Sequence, residues 1–287
     1  MCSCTHPHQC TDPVLDHLQE HPAWQVLLVD LRSHGESPSA TFESLLGPSS
    51  VDTAASDVLN LLRHLRIFPN TLVGHSFGGK VVLSMIEQFG PRLPRPVSVW
   101  VLDAVPGTIA DARRTNKTGV SHADHPRHLI RSLCAMQLPI SNRSELVQRL
   151  LAEGFSDPIA RWVATNLRPS SGNNGASGNL VWTFDLQGIS SMYESYENKS
   201  HWELLEQPPQ GLSVHFVRAE HSSFRWSGGT AERIKALGHA VHLLRDAGHW
   251  VHTDNPRGLL DIMGMAFGQR DDVRAIHQSY EQAASAA

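Results

Sequence analysis

The chain has 287 residues, a net charge of −4 and 40% hydrophobic residues, enough for one large α/β domain with an insertion or for two small domains. No long run of either charge is present, which argues against a nucleic-acid partner or a membrane-surface anchor. No apolar run approaches the roughly 20 residues that span a bilayer, and no secretory or transit pattern precedes Arg32, the first basic residue; a soluble intracellular protein of the cytoplasm, or of an organelle such as a chloroplast or mitochondrion, is expected.

In chain order, Asp12 caps a short helix over 13–20 that begins with proline. Cys2, Cys4 and Cys10, with His6 and His8, match no standard zinc spacing, so reduced thiols and no metal are expected there. The first clear strand is 25–30, "QVLLVD", followed by the polar turn "LRSHGESP". Residues 50–65 form an amphipathic helix with Val51, Ala54, Val58, Leu61, Leu62 and Leu65 on its apolar stripe.

Then comes "LVGHSFGGKVVL". Thr71 to Val73 reads as a buried strand, Gly74 and Gly78 leave room for a tight turn at Ser76, and 79–89 reads as a helix. The run 97–102, "VSVWVL", is another strand, ending at Asp103. Between about 106 and 208 the alternation stops, with helices over 144–153 and 158–167 and a flexible loop over 169–179. It resumes with a strand at 214–217, a helix at 231–237 ended by Gly238, a strand at 241–244, and a helix opened by Pro256 behind Asp254 and Asn255. Alternation at both ends predicts an α/β fold with a mostly parallel sheet. The expected division is a core of 1–105 and 209–268, a helical lid of 106–208 and a polar tail of 269–287.

A serine hydroxyl needs a base to take its proton, and the base needs an orienting acid. His249, in "VHLLRDAGHWVHTDNP", follows the last strand and a glycine turn; His252 is its nearest rival and lies further from the strand end. Asp103, at the end of the strand after Ser76, faces the same crevice. The other usual place for the acid, "RAEHSS", offers Glu220.

The stretches "VLLVDLRSHGESP", "LVGHSFGGKVVL", "VWVLDAVPG" and "DAGHWVHTDNP" together resemble the α/β-hydrolase-fold serine esterases. Within that superfamily they are similar to the small-ester and lipid hydrolases of bacteria and organelles that use an early acid. The resemblance implies hydrolysis of an ester, thioester or lipid ester through an acyl-enzyme, without a cofactor. Ser76 is then the nucleophile, His249 the base and Asp103 the acid, with Glu220 the alternative. A serine at this turn argues against the haloalkane dehalogenase and epoxide hydrolase branches, which place aspartate there. The Phe77 N–H is one oxyanion donor. His75, Trp162, Trp182, Met192, Tyr193, Trp202 and Trp250 are candidate pocket residues.

The family's second donor follows its third strand, and nothing before Trp24 reads as strands one to three; His34-Gly35 follows the fourth. An N-terminally truncated core is therefore expected, with two rival readings: an impaired hydrolase-fold binding protein, and C–C lyase chemistry on the same triad. A small-molecule ester or lipid is the expected partner, and oligomeric state leaves no mark in the sequence.

Overall fold

A computed structural model describes residues 25–35, 37, 48–89, 96–109, 125–136, 138–170, 180–222, 226 and 228–267. The helix expected over 13–20, the clustered N-terminal cysteines, most of the 169–179 loop and the polar tail lie outside the described residues. The strands are β1 (Thr71–His75), β2 (Ser98–Leu102), β3 (Leu167–Pro169), β4 (Leu180–Trp182), β5 (Ser213–Ala219) and β6 (Ala240–Leu244). The helices are α1 (Val51–Leu65), α2 (Phe77–Gln88), α3 (Pro126–Ala135), α4 (Arg143–Ala152), α5 (Asp157–Ala164), α6 (Leu186–Asn198), α7 (Trp202–Glu206), α8 (Thr230–Ala236), α9 (Val251–Asp254) and α10 (Pro256–Phe267).

β1, β2, β5 and β6 form a parallel sheet in that order. All five residues of β2 are buried, as a strand covered on both faces requires. Their side chains alternate. Val99 and Val101 join Val214 and Phe216 in a cluster with α1, α2 and α6, while Trp100 and Leu102 join Val217 and Leu244 in a cluster with α10. α1 starts where its sequence says it should. Ser50 is the N-cap, its Oγ accepts from Thr53 N, and the Thr53 hydroxyl accepts from Ser50 N, so two orphan donors are satisfied.

Between β2 and β5 the chain builds a separate helical block. α3, α4, α5 and the antiparallel pair β3–β4 enclose their own apolar cluster, centred on Ile140, Leu146, Leu150 and Leu167. The helices expected over 144–153 and 158–167 are α4 and α5.

The strand expected over 25–30 does not form. Val26, Leu27 and Leu28 are 41%, 43% and 50% exposed. A β-branched apolar run becomes a parallel strand only with a neighbour to bond, and β1 is the edge of the four-stranded sheet among the described residues. Burial begins at Leu31, which packs into the cluster with α1 and α2, and Arg32 anchors the turn through Nε to Asp57 at 2.6 Å.

Candidate active site

Ser76 sits between β1 and α2 with φ 51° and ψ −114°. That region is unfavourable for a residue with a Cβ and persists only where the surroundings force it. Ser76 N donates to Leu102 O at 2.9 Å, tying the turn to β2. A Cβ on Gly74 would collide with the Gly78 carbonyl, and one on Gly79 would press on Val101 and Ala104. The glycines therefore let α2 turn back hard against the sheet. Phe77 heads α2, and the N-cap Ser76 makes no side-chain capping bond, so the positive end of the helix dipole lies at Ser76.

Asp103 ends β2 with φ 45° and a fully buried carboxylate. Three groups hold it. His249 Nδ1 lies 2.8 Å from Oδ2, Ser222 Oγ donates to Oδ2 at 2.5 Å, and Ala219 N donates to Oδ1 at 3.2 Å. A carboxylate accepts, so Nδ1 donates, and the neutral tautomer with that bond presents Nε2 as the acceptor. Glu220 is elsewhere: its Oε2 accepts from Asp246 N at 3.1 Å.

The His249 loop is pinned twice. His75 Nε2 lies 2.7 Å from His249 O, and Gly248 N donates to Asp254 Oδ2 at 2.8 Å. Burial first, and then the neighbouring His249 and His252, push His75 well below the ordinary histidine value. It is neutral and donates from Nε2.

Ser76, Phe77 and His249 line a cavity of about 570 Å³. One wall comes from the helical block and is mostly apolar, with Leu129, Leu133, Ile159 and Val163 among its residues, and Ile189 of α6 continues it. The other comes from core loops and carries Asp30, His34, His221 and Asp254. Of the expected pocket residues, His75, Trp162, Tyr193 and Trp250 line it. Trp162 and Trp250 are each more than a third exposed, with rings 5.7 Å apart, at its mouth. Trp182, Met192 and Trp202 do not line it. Trp182 stacks on Phe184 within the block, Met192 packs in the core, and Trp202 lies under Arg233; the first two found apolar partners and the third a cation.

Two residues went unread in the sequence. Ser222 carries no spacing signal beyond standing two positions after Glu220. Tyr196 is buried and lines the cavity beside Ser76, its ring 5.9 Å from that of Phe77. Burial and then Tyr193 raise its pKa far above the usual tyrosine range, so it keeps its proton. The spacing Leu186, Ile189, Tyr193, Tyr196 on one helical face was the available signal.

The sn-1-specific diacylglycerol lipase ABHD11 of Mus musculus is 24% identical over 245 residues, 83% of this chain and 70% of that protein. A putative esterase/lipase of Haemophilus influenzae is 22% identical, covering 81% of this chain and 70% of that one. Protein phosphatase methylesterase 1 of Cryptococcus neoformans is 25% identical over 82% of this chain but only 54% of its own length. Among solved structures, a marine microorganism esterase superposes with a TM-score of 0.68 at 18% identity, covering 88% of this chain and 87% of that one. The model of the alpha/beta hydrolase family matches residues 5–262, and with the parallel sheet and the serine turn already described, the chain belongs to that family.

Proposed function

We propose that the protein hydrolyses carboxylic esters or thioesters with apolar acyl chains through an acyl-enzyme. Ser76 attacks the acyl carbon, and its proton passes to His249 Nε2. Asp103 holds the imidazolium that forms, and Ser222 helps hold Asp103. The proton then goes to the leaving alcohol or thiol, and water attacks the acyl-enzyme by the same route. The Phe77 N–H and the Tyr196 phenol, which stays protonated, donate to the oxyanion. The helical block acts as a lid, its apolar wall taking the acyl chain while the polar core wall takes the alcohol side.

The observation that carries this reading is the 2.8 Å pair of His249 and Asp103 beside the left-handed Ser76. The activities for which the relatives are named, on diacylglycerol and on methyl esters, support a small or lipid ester. The segment 25–30, which forms no strand of the sheet, favours a second reading, an impaired scaffold that binds without turnover. A fluorophosphonate probe separates the two. The parent is expected to label and Ser76→Ala to remain blank with its fold intact; a parent that does not label leaves only the scaffold.

A further inference from the structure

Lys80 stands on α2, four residues after Ser76, and is fully buried. An ammonium removed from water is costly unless its hydration is replaced. Here backbone replaces it. Nζ donates to Gly107 O at 2.8 Å, Tyr196 O at 2.7 Å and Lys199 O at 2.7 Å. It also lies 4.7 Å from the centroid of the Tyr196 ring, within cation–π range.

The three carbonyls come from two places. Gly107 is on the segment that leaves β2 after Asp103. Tyr196 and Lys199 belong to the C-terminal end of α6, where carbonyls lack intrahelical donors and the helix dipole is negative. An ammonium has three donors and no acceptor, so Lys80 can satisfy one carbonyl with each of its protons. The same end of α6 is braced from outside. Lys199 Nζ pairs with Asp52 at 2.9 Å and with Glu87 at 3.0 Å, and His201 N donates to Pro106 O at 2.8 Å.

Tyr196 therefore meets α2 through its backbone and its ring. Lys80 takes both contacts, and the Tyr196 side chain lines the cavity beside Ser76. We propose that Lys80 is a positioning residue, holding the C-terminal turn of α6 against α2 and so setting where the Tyr196 phenol stands relative to Ser76. This inference rests on the esterase reading, in which that phenol donates to the reacting oxygen.

The test is a double-mutant cycle on the full chain with p-nitrophenyl butyrate, with fluorophosphonate labelling as a check on Ser76. Tyr196→Phe is expected to lower kcat about 100-fold with KM within about threefold. Lys80→Met is expected to lower kcat about 10- to 100-fold in the same way. The double variant is expected to fall within about threefold of Tyr196→Phe, because misplacing a hydroxyl that is absent has no effect. Lys80→Gln, whose amide still donates twice, runs the same cycle if the methionine variant does not fold. Losses that multiply in the double variant overturn the proposal and leave Lys80 a packing residue. Unchanged kcat in Tyr196→Phe also overturns it, while continued labelling of Ser76 keeps the esterase reading intact. A parent that never labels removes both.

Discussion

His75, the residue before the candidate nucleophile, donates from Nε2 to the carbonyl oxygen of His249 at 2.7 Å. The serine turn and the loop of the candidate base are thereby fastened to each other directly. His75→Phe keeps an aromatic ring and removes the donor. It is expected to lower kcat about tenfold with a much smaller change in KM, since the bond acts on geometry rather than on substrate. Steady-state kinetics at saturating ester decide it, and a parent-like kcat would show that the loop holds its place without His75.

The two acid candidates separate by environment. Asp103→Asn is expected to cut kcat on the order of 10⁴-fold, as loss of the orienting acid does in a serine triad. Glu220→Gln is expected to change it less than about threefold, because Glu220 serves the Asp246 backbone. Ser222→Ala lies between, at about three- to tenfold, since it removes one of three bonds to the carboxylate. A ranking with Glu220 above Asp103 would reverse the assignment.

Acid should destabilise the fold in a defined window. His34, His75, His201 and His242 are all held below the ordinary histidine value, burial being the first cause for each. In the unfolded chain they return to about 6.5 and take up protons there that the folded state refuses. Their neutral burial therefore costs no proton-linked stability above that value, and stability is lost as pH falls below it towards their folded pKa values. Asp52 and Glu87 act lower. Burial pulls both up, but bonds from Ser84 and Lys199 to Asp52, and from His201 and Lys199 to Glu87, outweigh it and hold them low. Their contribution disappears as pH falls below about 4. Tm is expected to drop between about pH 7.5 and 5.5 and again near 4; a Tm flat from 7.5 to 5.5 contradicts the account.

On the proposed reading, the apolar wall makes acyl length a property of the helical block. Ile159 lines the cavity and packs on the block's own cluster. Ile159→Trp is expected to lower kcat/KM for p-nitrophenyl octanoate by at least about tenfold and for the acetate by less than about threefold, in line with what a few methylenes are worth in a pocket. Equal losses on both esters would place the acyl chain elsewhere.

The core strands, the serine turn, Asp103 and His249 were legible because each is local: an apolar run, a glycine pair, a polar residue at a strand end. What was not legible depends on partners distant in sequence. Residues 25–30 have the composition of a buried strand, yet pairing is a relation between two segments, and one segment cannot display it. Lys80 reads as a solvated helix residue because lysines nearly always are; its three carbonyl partners lie 27 to 119 positions away. Tyr196 was missed while Tyr193 was named because α6, with Gly188 and paired serines 190 and 191, reads weakly as a helix. The pocket tryptophans divided for a related reason: size marks a residue as needing burial but not what buries it.

The positive φ at Ser76 sets stability against chemistry at one position. Glycine enters that backbone region freely, whereas a residue with a Cβ is strained there by about 1–3 kcal/mol. Ser76→Gly is therefore expected to melt at a higher temperature than the parent while never labelling. Random substitution filtered only by folding would thus run from serine to glycine here. A lineage that stopped cleaving esters would lose its serine at this turn early, because here the change makes the protein sturdier.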